Sequence, residues 1–115
     1  MPDAHKNFAE SVVATAPSPA SSGTSLVVAA GTGSRFPTTP FNATVCPANT
    51  KSNDTNAEIV RVTNISTDTF TITRAQESTP ARAISVGDQI AASITTKTLT
   101  DIESGADYIA NQVFS

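Results

Sequence analysis

The clearest pattern of apolar and polar positions lies between residues 57 and 74 and predicts a β-hairpin. Its second half reads Thr-Phe-Thr-Ile-Thr over residues 69–73, so that Phe70 and Ile72 alternate with threonines. Because successive side chains of a strand point to opposite faces, this alternation gives one apolar and one polar face. The polar residues 66–68 predict the turn. A hairpin with one dry face is typical of a small β domain.

Five further segments have the composition of short strands and are separated by turn signals. They cover residues 11–15, 24–30, 41–46, 83–86 and 89–94. Phe41, Ala43 and Val45 are expected to share one face of the third segment. The prolines within residues 17–23 interrupt regular structure, and Gly23 permits a positive φ. Together with the hairpin, about seven short strands at roughly ten-residue spacing predict an all-β fold, a small sandwich or barrel.

The pattern changes from strand to helix near residue 99. Thr100 and Glu103 fit a capping box, in which a hydroxyl and a carboxylate satisfy free backbone N–H groups at a helix start. The apolar residues around and after this box have the spacing of one face of a short helix. These residues, named here the C-terminal stripe, are Leu99, Ile102, Ala106, Ile109 and Val113. The stripe either packs on its own β domain or packs between copies of the chain.

These patterns predict one domain with an extension at each end. A second hydrophobic core would leave both halves of a 115-residue chain too small to be stable alone. Residues 1–10 are polar apart from Phe8 and are expected to form an N-terminal arm. Residues 11–98 then form the β domain, and residues 99–115 the C-terminal helix. Residues 47–56 have few apolar side chains and predict an exposed loop.

Composition favours the β fold and excludes several partner classes. Threonine (18) and serine (13) are abundant, and threonine suits the solvent-facing positions of strands. The net charge of −3 is spread without a basic stripe, so binding to nucleic acid is not expected. No apolar run is long enough to span a membrane, and the N-terminus lacks a secretory apolar segment. We therefore expect the chain to be made and folded in a cytoplasm.

The sequence offers no recognisable catalytic set, metal site or cofactor site. His5 is the sole histidine and lies in the polar arm, where a general base would have no fixed partner. Cys46 is the sole cysteine, and its apolar neighbours indicate a small buried side chain rather than a reactive thiol. Residues 31–35 begin like a phosphate-binding loop, but Arg35 and Pro37 break that pattern. We expect no enzymatic activity and no cofactor.

Charged residues on and after the hairpin have two interpretations. Glu58 and Arg61 lie on its first strand and Arg74 ends its second, so these residues indicate an exposed cross-strand ion pair, which contributes about 0.2–1 kcal/mol. Arg74 and Arg82, with Glu77 and Asp88, surround the next loop. They form either a solvated network or a contact between subunits, where arginine is enriched. Arg74 and Arg82 are therefore candidate interface residues.

Several pieces of the sequence, in order, resemble a module found at the N-terminus of many tailed-bacteriophage minor tail and fibre proteins. The pieces span residues 8–102 and lie at 8–28, 31–37, 40–45, 57–63, 70–77 and 86–102. They include Gly-Thr-Gly-Ser-Arg-Phe-Pro at 31–37 and Phe-Thr-Ile-Thr-Arg-Ala-Gln-Glu at 70–77. The resemblance implies a non-enzymatic structural part, usually oligomeric, that attaches to a symmetric phage surface. Longer members continue into stalks or receptor-binding domains, whereas this sequence ends at Ser115.

We therefore expect a phage virion protein that decorates the capsid as a homotrimer and contacts the major capsid protein. The alternative is a tail-fibre or baseplate attachment module that contacts tail or baseplate proteins. A carbohydrate-binding sandwich is disfavoured, because sugar platforms need aromatic rings and the sequence has no Trp. The candidate interface residues are Phe8, Leu99, Ile102, Ile109, Val113, Arg74 and Arg82.

Overall fold

A computed structural model describes residues 6, 8–53 and 55–92, and these residues form a closed antiparallel β-barrel. Its strands are β1 (Glu10–Thr15), β2 (Ser25–Val28), β3 (Phe41–Cys46), β4 (Glu58–Ser66), β5 (Thr69–Gln76) and β6 (Gln89–Ala91). Their order around the barrel is β1-β2-β5-β4-β3-β6, and β6 pairs with β1 to close it. The predicted all-β barrel or sandwich is confirmed as a barrel. The predicted C-terminal helix and most of the predicted arm lie outside the described residues.

The predicted hairpin is formed by β4 and β5. Its turn lies at Thr67 and Asp68, as the polar residues 66–68 indicated. Phe70 and Ile72 are buried, and the threonines that alternate with them are exposed. The hairpin therefore has the one dry and one wet face that its alternation predicts.

The core fills the barrel interior with side chains from every strand. Three phenylalanines pack together: the Phe36 ring stacks on Phe41 with centroids 6.0 Å apart and meets the edge of Phe70 at 4.9 Å. Such offset or edge-on pairs add about 0.5–1.5 kcal/mol to the free energy of burying the rings. The other large, fully buried apolar side chains are Val13, Leu26, Val28, Val45, Val60, Val62, Ile72, Ile84 and Ile90.

One predicted strand is absent, and Gly23 has a different role from the turn that its composition allows. Residues 83–86 are not a strand, so the described part of the chain has six strands rather than about seven. Ile84 is buried, and its N–H donates to Ala20 O (3.1 Å), because the apolar residue anchors a loop instead of pairing along a strand. Gly23 does not adopt a positive φ. It is required for close packing, because a Cβ atom there would lie 2.7 Å from Pro17 Cβ and from Ser18 N.

Two local expectations, for the loop after β3 and for Cys46, are confirmed. Residues 48–53 and Thr55 are exposed, as predicted for this loop. Cys46 is buried, and its sulfur accepts a hydrogen bond from Gln89 Nε2 (2.9 Å). Within the part of the chain that the structure describes, no helix has the length and apolar character needed to cross a membrane.

Candidate functional site

The antiparallel pairing brings both ends of the described chain to one end of the barrel, named here the terminal end. Glu10, at the start of β1, pairs with Ala91, at the end of β6. The Ala92 N–H donates to Ala9 O at 2.9 Å, so the two chain ends run side by side. The β4–β5 turn and the β2–β3 connection also lie here, because β4 and β2 run toward this end. The opposite, loop end carries residues 16–24, 47–57 and 77–88.

A groove of about 500 Å³ lies on the barrel wall beside the exiting chain ends. It is lined by Glu10, Ser11, Val12, Ala29, Thr32, Arg35, Gln89, Ile90 and Ala91. Val12 leaves 43% of its surface exposed, although it is a large apolar residue in the middle of a strand. The carboxylate of Glu10 and the guanidinium of Arg35 are the charged groups of the lining. The groove therefore combines an apolar floor with polar and charged groups.

The hydroxyl groups in the groove are used to hold its wall together. Thr32 Oγ1 donates to Ala29 O (2.6 Å), and the hydroxyls of Ser11 and Thr32 are hydrogen-bonded to each other (2.5 Å). The Arg35 side chain reaches Glu10 O at 3.5 Å. No histidine or cysteine lines the groove, and the carboxylate in its lining belongs to Glu10.

The start of the chain extends the same face. Phe8 is 86% exposed and has a positive φ of 59°, which turns its ring away from the barrel. Lys6 Nζ donates to Ser34 O (2.6 Å), so this part of the arm passes beside the groove residue Arg35. An exposed Phe beside a groove with an exposed Val gives the terminal end two large apolar contact groups. We call this surface, from Phe8 across the groove, the terminal face.

Residues 31–35 do not form a phosphate-binding loop, and the structure gives a physical reason. The N–H groups of Gly31 and Gly33 already donate to Asp68 Oδ2 (3.0 Å) and Oδ1 (2.9 Å). These two hydrogen bonds hold the pKa of Asp68 below its ordinary value. The carboxylate of the β4–β5 turn thus occupies the place that an anion would take. Its role is to fasten the turn to the β2–β3 connection.

At the loop end, Glu58 and Arg74 form a buried ion pair, so the expectation of an exposed pair is wrong. Arg74 Nε lies 2.8 Å from Glu58 Oε2, and the two side chains are 8% and 0% exposed. Arg74 Nη2 donates to Glu58 Oε1 (2.9 Å), which makes the pair bidentate. The backbone N–H groups of Ala75 and Arg82 donate to the same carboxylate. Breaking a pair that is removed from water costs more than breaking an exposed one, because the remaining charge is left buried without compensation.

Burial of the Glu58 carboxylate raises its pKa. The hydrogen bonds from the Arg74 side chain and from the Arg82 and Ala75 amides lower it, as does the Arg74 charge. These opposing effects together hold the pKa of Glu58 below its ordinary value. The carboxylate is therefore ionised under neutral conditions, although it is wholly buried.

The structure separates the sequence-predicted interface residues into three groups. Phe8 lies on the terminal face. Arg74 donates from Nη1 to Gly23 O (2.9 Å) as well as to Glu58, and Arg82 pairs with Asp88 at 2.9 Å. Both arginines are thus engaged within the chain at the loop end, far along the strands from Phe8. The other candidates, Leu99, Ile102, Ile109 and Val113, lie outside the described residues.

Sequence reasoning missed the groove and Val12. The pattern Ser-Val-Val-Ala-Thr over residues 11–15 indicates a strand but not which valine faces the core.

Among the described residues, no group of three His, Cys, Asp or Glu side chains is placed to hold a metal ion. No family model and no curated protein matches this chain.

Proposed function

We propose that this chain is a non-enzymatic structural protein of a tailed-phage particle, and that it decorates the capsid as a homotrimer. The observation that carries the proposal is the pairing of Glu10 with Ala91. This pairing puts the start of the barrel, next to Phe8, and its last strand, after which the sequence continues toward the C-terminal stripe, at the same end. One end of the barrel can then make all the attachments.

The remaining geometry supports this use of the barrel. A closed barrel has no free sheet edge, so copies at high local concentration do not associate edge to edge. The loop end is held by the buried pair of Glu58 and Arg74, which ties the loops to the strands. Such an end can face solvent while the terminal face contacts other subunits. Covering a shell in this way needs a rigid domain and contact surfaces but no catalytic group.

A head protein and a tail protein differ in their number of copies, and this difference tests the proposal. Purified particles would be separated on a denaturing gel, with the major capsid protein as the internal standard. A decoration protein is expected in a copy number comparable with that of the major capsid protein. An amount similar to that of a tail component would contradict decoration and favour the tail-fibre or baseplate module. Absence from purified particles would contradict a virion role altogether.

A further inference from the structure

The groove on the terminal face leaves apolar surface in water. Val12 is 43% exposed, and Ala29 and Ala91 line the groove beside it. Its short side chains leave space, about 500 Å³, that another segment can fill. Apolar surface rimmed by polar groups in this way is typical of an interaction site.

The direction of the chain at Ala92 indicates that the residues after Ala92 do not fill the groove of their own copy. The pairs Val12–Gln89, Ser11–Ile90 and Glu10–Ala91 follow one another toward the terminal end, and the Ala92 N–H bonds Ala9 O. The chain is therefore moving away from Val12 when it leaves the described residues. A return to its own groove requires a reversal of direction, whereas entry into the groove of a neighbouring copy does not.

The sequence after Ala92 has the chemistry that the groove would accept. Residues 93–98 are polar except for Ile94 and can extend over about 20 Å, at roughly 3.3–3.6 Å per residue. The C-terminal stripe follows with Leu99, Ile102 and Ile109, which are apolar like the floor of the groove. Residues 99–115 also contain three side-chain carboxylates, those of Asp101, Glu103 and Asp107, and no Lys or Arg. Lys6 and Arg35 supply positive charge beside the groove.

We propose that the groove of one copy binds the C-terminal stripe of a second copy of this chain. This inference rests on the self-association that is part of the proposed function, and it identifies the surfaces involved. Each copy then offers a groove and a segment at the same end of its barrel. A contact between two different surfaces closes into a ring when the rotation between copies allows it. A trimer would use three such contacts.

Disulfide trapping in the full-length chain tests the contact. Val12→Cys and Ile109→Cys would be prepared as two single variants, mixed, and oxidised. Formation of a covalent dimer between the two variants, reversed by a reductant, is the expected result. Cys46 stays in place, because it is 2% exposed. Circular dichroism would first establish that both variants retain the β signal of the wild type.

A matched pair controls for random collision. Thr71 is exposed on β5 and is not part of the groove, so Thr71→Cys mixed with Ile109→Cys should give no more dimer than either variant alone. Equal trapping at positions 12 and 71 would overturn the inference. A double variant, Val12→Cys with Ile109→Cys in one chain, separates the remaining alternatives. A disulfide confined to single chains would show that each stripe occupies its own groove, and no disulfide would show that the groove is not its site.

The trapping result and the copy number in particles are independent of each other. If the disulfide forms between copies and the copy number matches that of a tail component, the proposed contact is supported and capsid decoration is contradicted. If the copy number matches that of the major capsid protein and no disulfide forms, capsid decoration is supported and the proposed contact is contradicted. The two proposals therefore fail in distinguishable ways.

Discussion

Glu58 illustrates how a full charge is accommodated in a barrel with an apolar interior. Its two oxygens accept hydrogen bonds from the Arg74 guanidinium and from the Ala75 and Arg82 amides. Arg74 donates in turn to the carbonyl groups of Gly23 and Arg82. Within the described residues, no buried side-chain nitrogen or oxygen lacks a hydrogen-bond partner. The pair is buried because both charges are compensated, which is the condition for removing them from water.

The first prediction is that Glu58→Gln lowers the free energy of unfolding by about 3–5 kcal/mol, because the buried charge of Arg74 loses its counter-ion. Urea unfolding at neutral pH, followed by circular dichroism, measures the change. Glu10→Gln is the matched control: this carboxylate is exposed on β1, and its replacement should change stability by less than about 0.5 kcal/mol. Equal effects of the two substitutions would contradict the buried pair.

The second prediction concerns acid. Because the pKa of Glu58 is lower in the folded than in the unfolded chain, ionised Glu58 stabilises the fold above its unfolded pKa of about 4.5. That stabilisation should decline as the pH falls below this value and through the folded pKa. Urea midpoints measured from pH 6 down to pH 2.5 should therefore decrease for the wild type. The decrease should be shallower for Glu58→Gln, which has no carboxylate to protonate, and identical slopes would contradict the assignment.

At the scale of elements, β5 shows most directly how side-chain alternation is converted into a core. Phe70 is 0% exposed and lies against Phe36, whereas the neighbouring Thr71 faces outward. Cross-strand neighbours continue the pattern, since Phe70 pairs with Leu26 of β2 and Thr71 pairs with Ser25. Which face of β5 is buried therefore depends on its register with β2.

The third prediction compares these two faces. Phe70→Ala should destabilise the domain by about 3–5 kcal/mol, because it leaves a cavity among buried rings. Thr71→Ala should change stability by less than about 0.5 kcal/mol in the isolated protein, because its side chain is in water. Thermal or urea unfolding of the two variants measures both changes. A large loss from Thr71→Ala would mean that a second subunit covers this face.

Two connections of the terminal end pack so closely that they require a glycine. A Cβ atom at Gly33 would collide with the carbonyl oxygen of Thr67 in the β4–β5 turn, and that oxygen belongs to the backbone. The same approach allows the Gly33 N–H to reach Asp68 Oδ1 (2.9 Å). The close contact and the hydrogen bond together position the β2–β3 connection. This connection carries Arg35, which lines the groove.

The fourth prediction is that Gly33→Ala costs about 1–3 kcal/mol, the usual range for overpacking a site that must shift backbone. Unfolding by urea gives the value. Ser34→Ala, at the next and exposed position, should be near neutral and serves as the control. If alanine at position 33 were tolerated as well as alanine at position 34, the close approach would not exist in solution.

At the scale of the whole molecule, the two ends of the barrel have different roles in the proposal. The loop end uses its charged side chains internally, through Glu58 with Arg74 and Asp88 with Arg82. The terminal end leaves Phe8 and Val12 exposed, and the barrel begins and ends there, whereas Val86 is the exposed large apolar residue of the loop end. This polarity is suited to a subunit that is attached at one end.

The fifth prediction concerns assembly. Ile109→Asp should convert an oligomer into a folded monomer, because an unpaired carboxylate in an apolar contact costs several kcal/mol. Light scattering gives the mass, and circular dichroism reports the fold. Loss of the β signal would show instead that the stripe packs in the core of its own domain. Unchanged mass with an intact fold would place position 109 outside the contacts of the free protein. Thr71→Ala, at an exposed position outside the groove, should retain both mass and fold.

The sequence by itself determined the strands that carry a strong local signal. The alternation around Phe70 and Ile72 and the turn residues near Asp68 depend only on neighbours along the chain, so they are readable without a structure. The loop around residues 48–53 was predictable for the same reason. Burial of Cys46 followed from its apolar neighbours.

Only the tertiary structure decided which charges and which apolar groups are buried. Glu58 and Arg74 look like surface residues in the sequence, and they are buried because separate segments supply their remaining hydrogen bonds. Ile84 resembles a strand residue, yet it anchors a loop, because strand formation needs a free neighbouring edge. The groove at Val12 and the adjacent chain ends exist because β6 closes the barrel onto β1. Such contacts join residues far apart in the chain, and no local pattern encodes them.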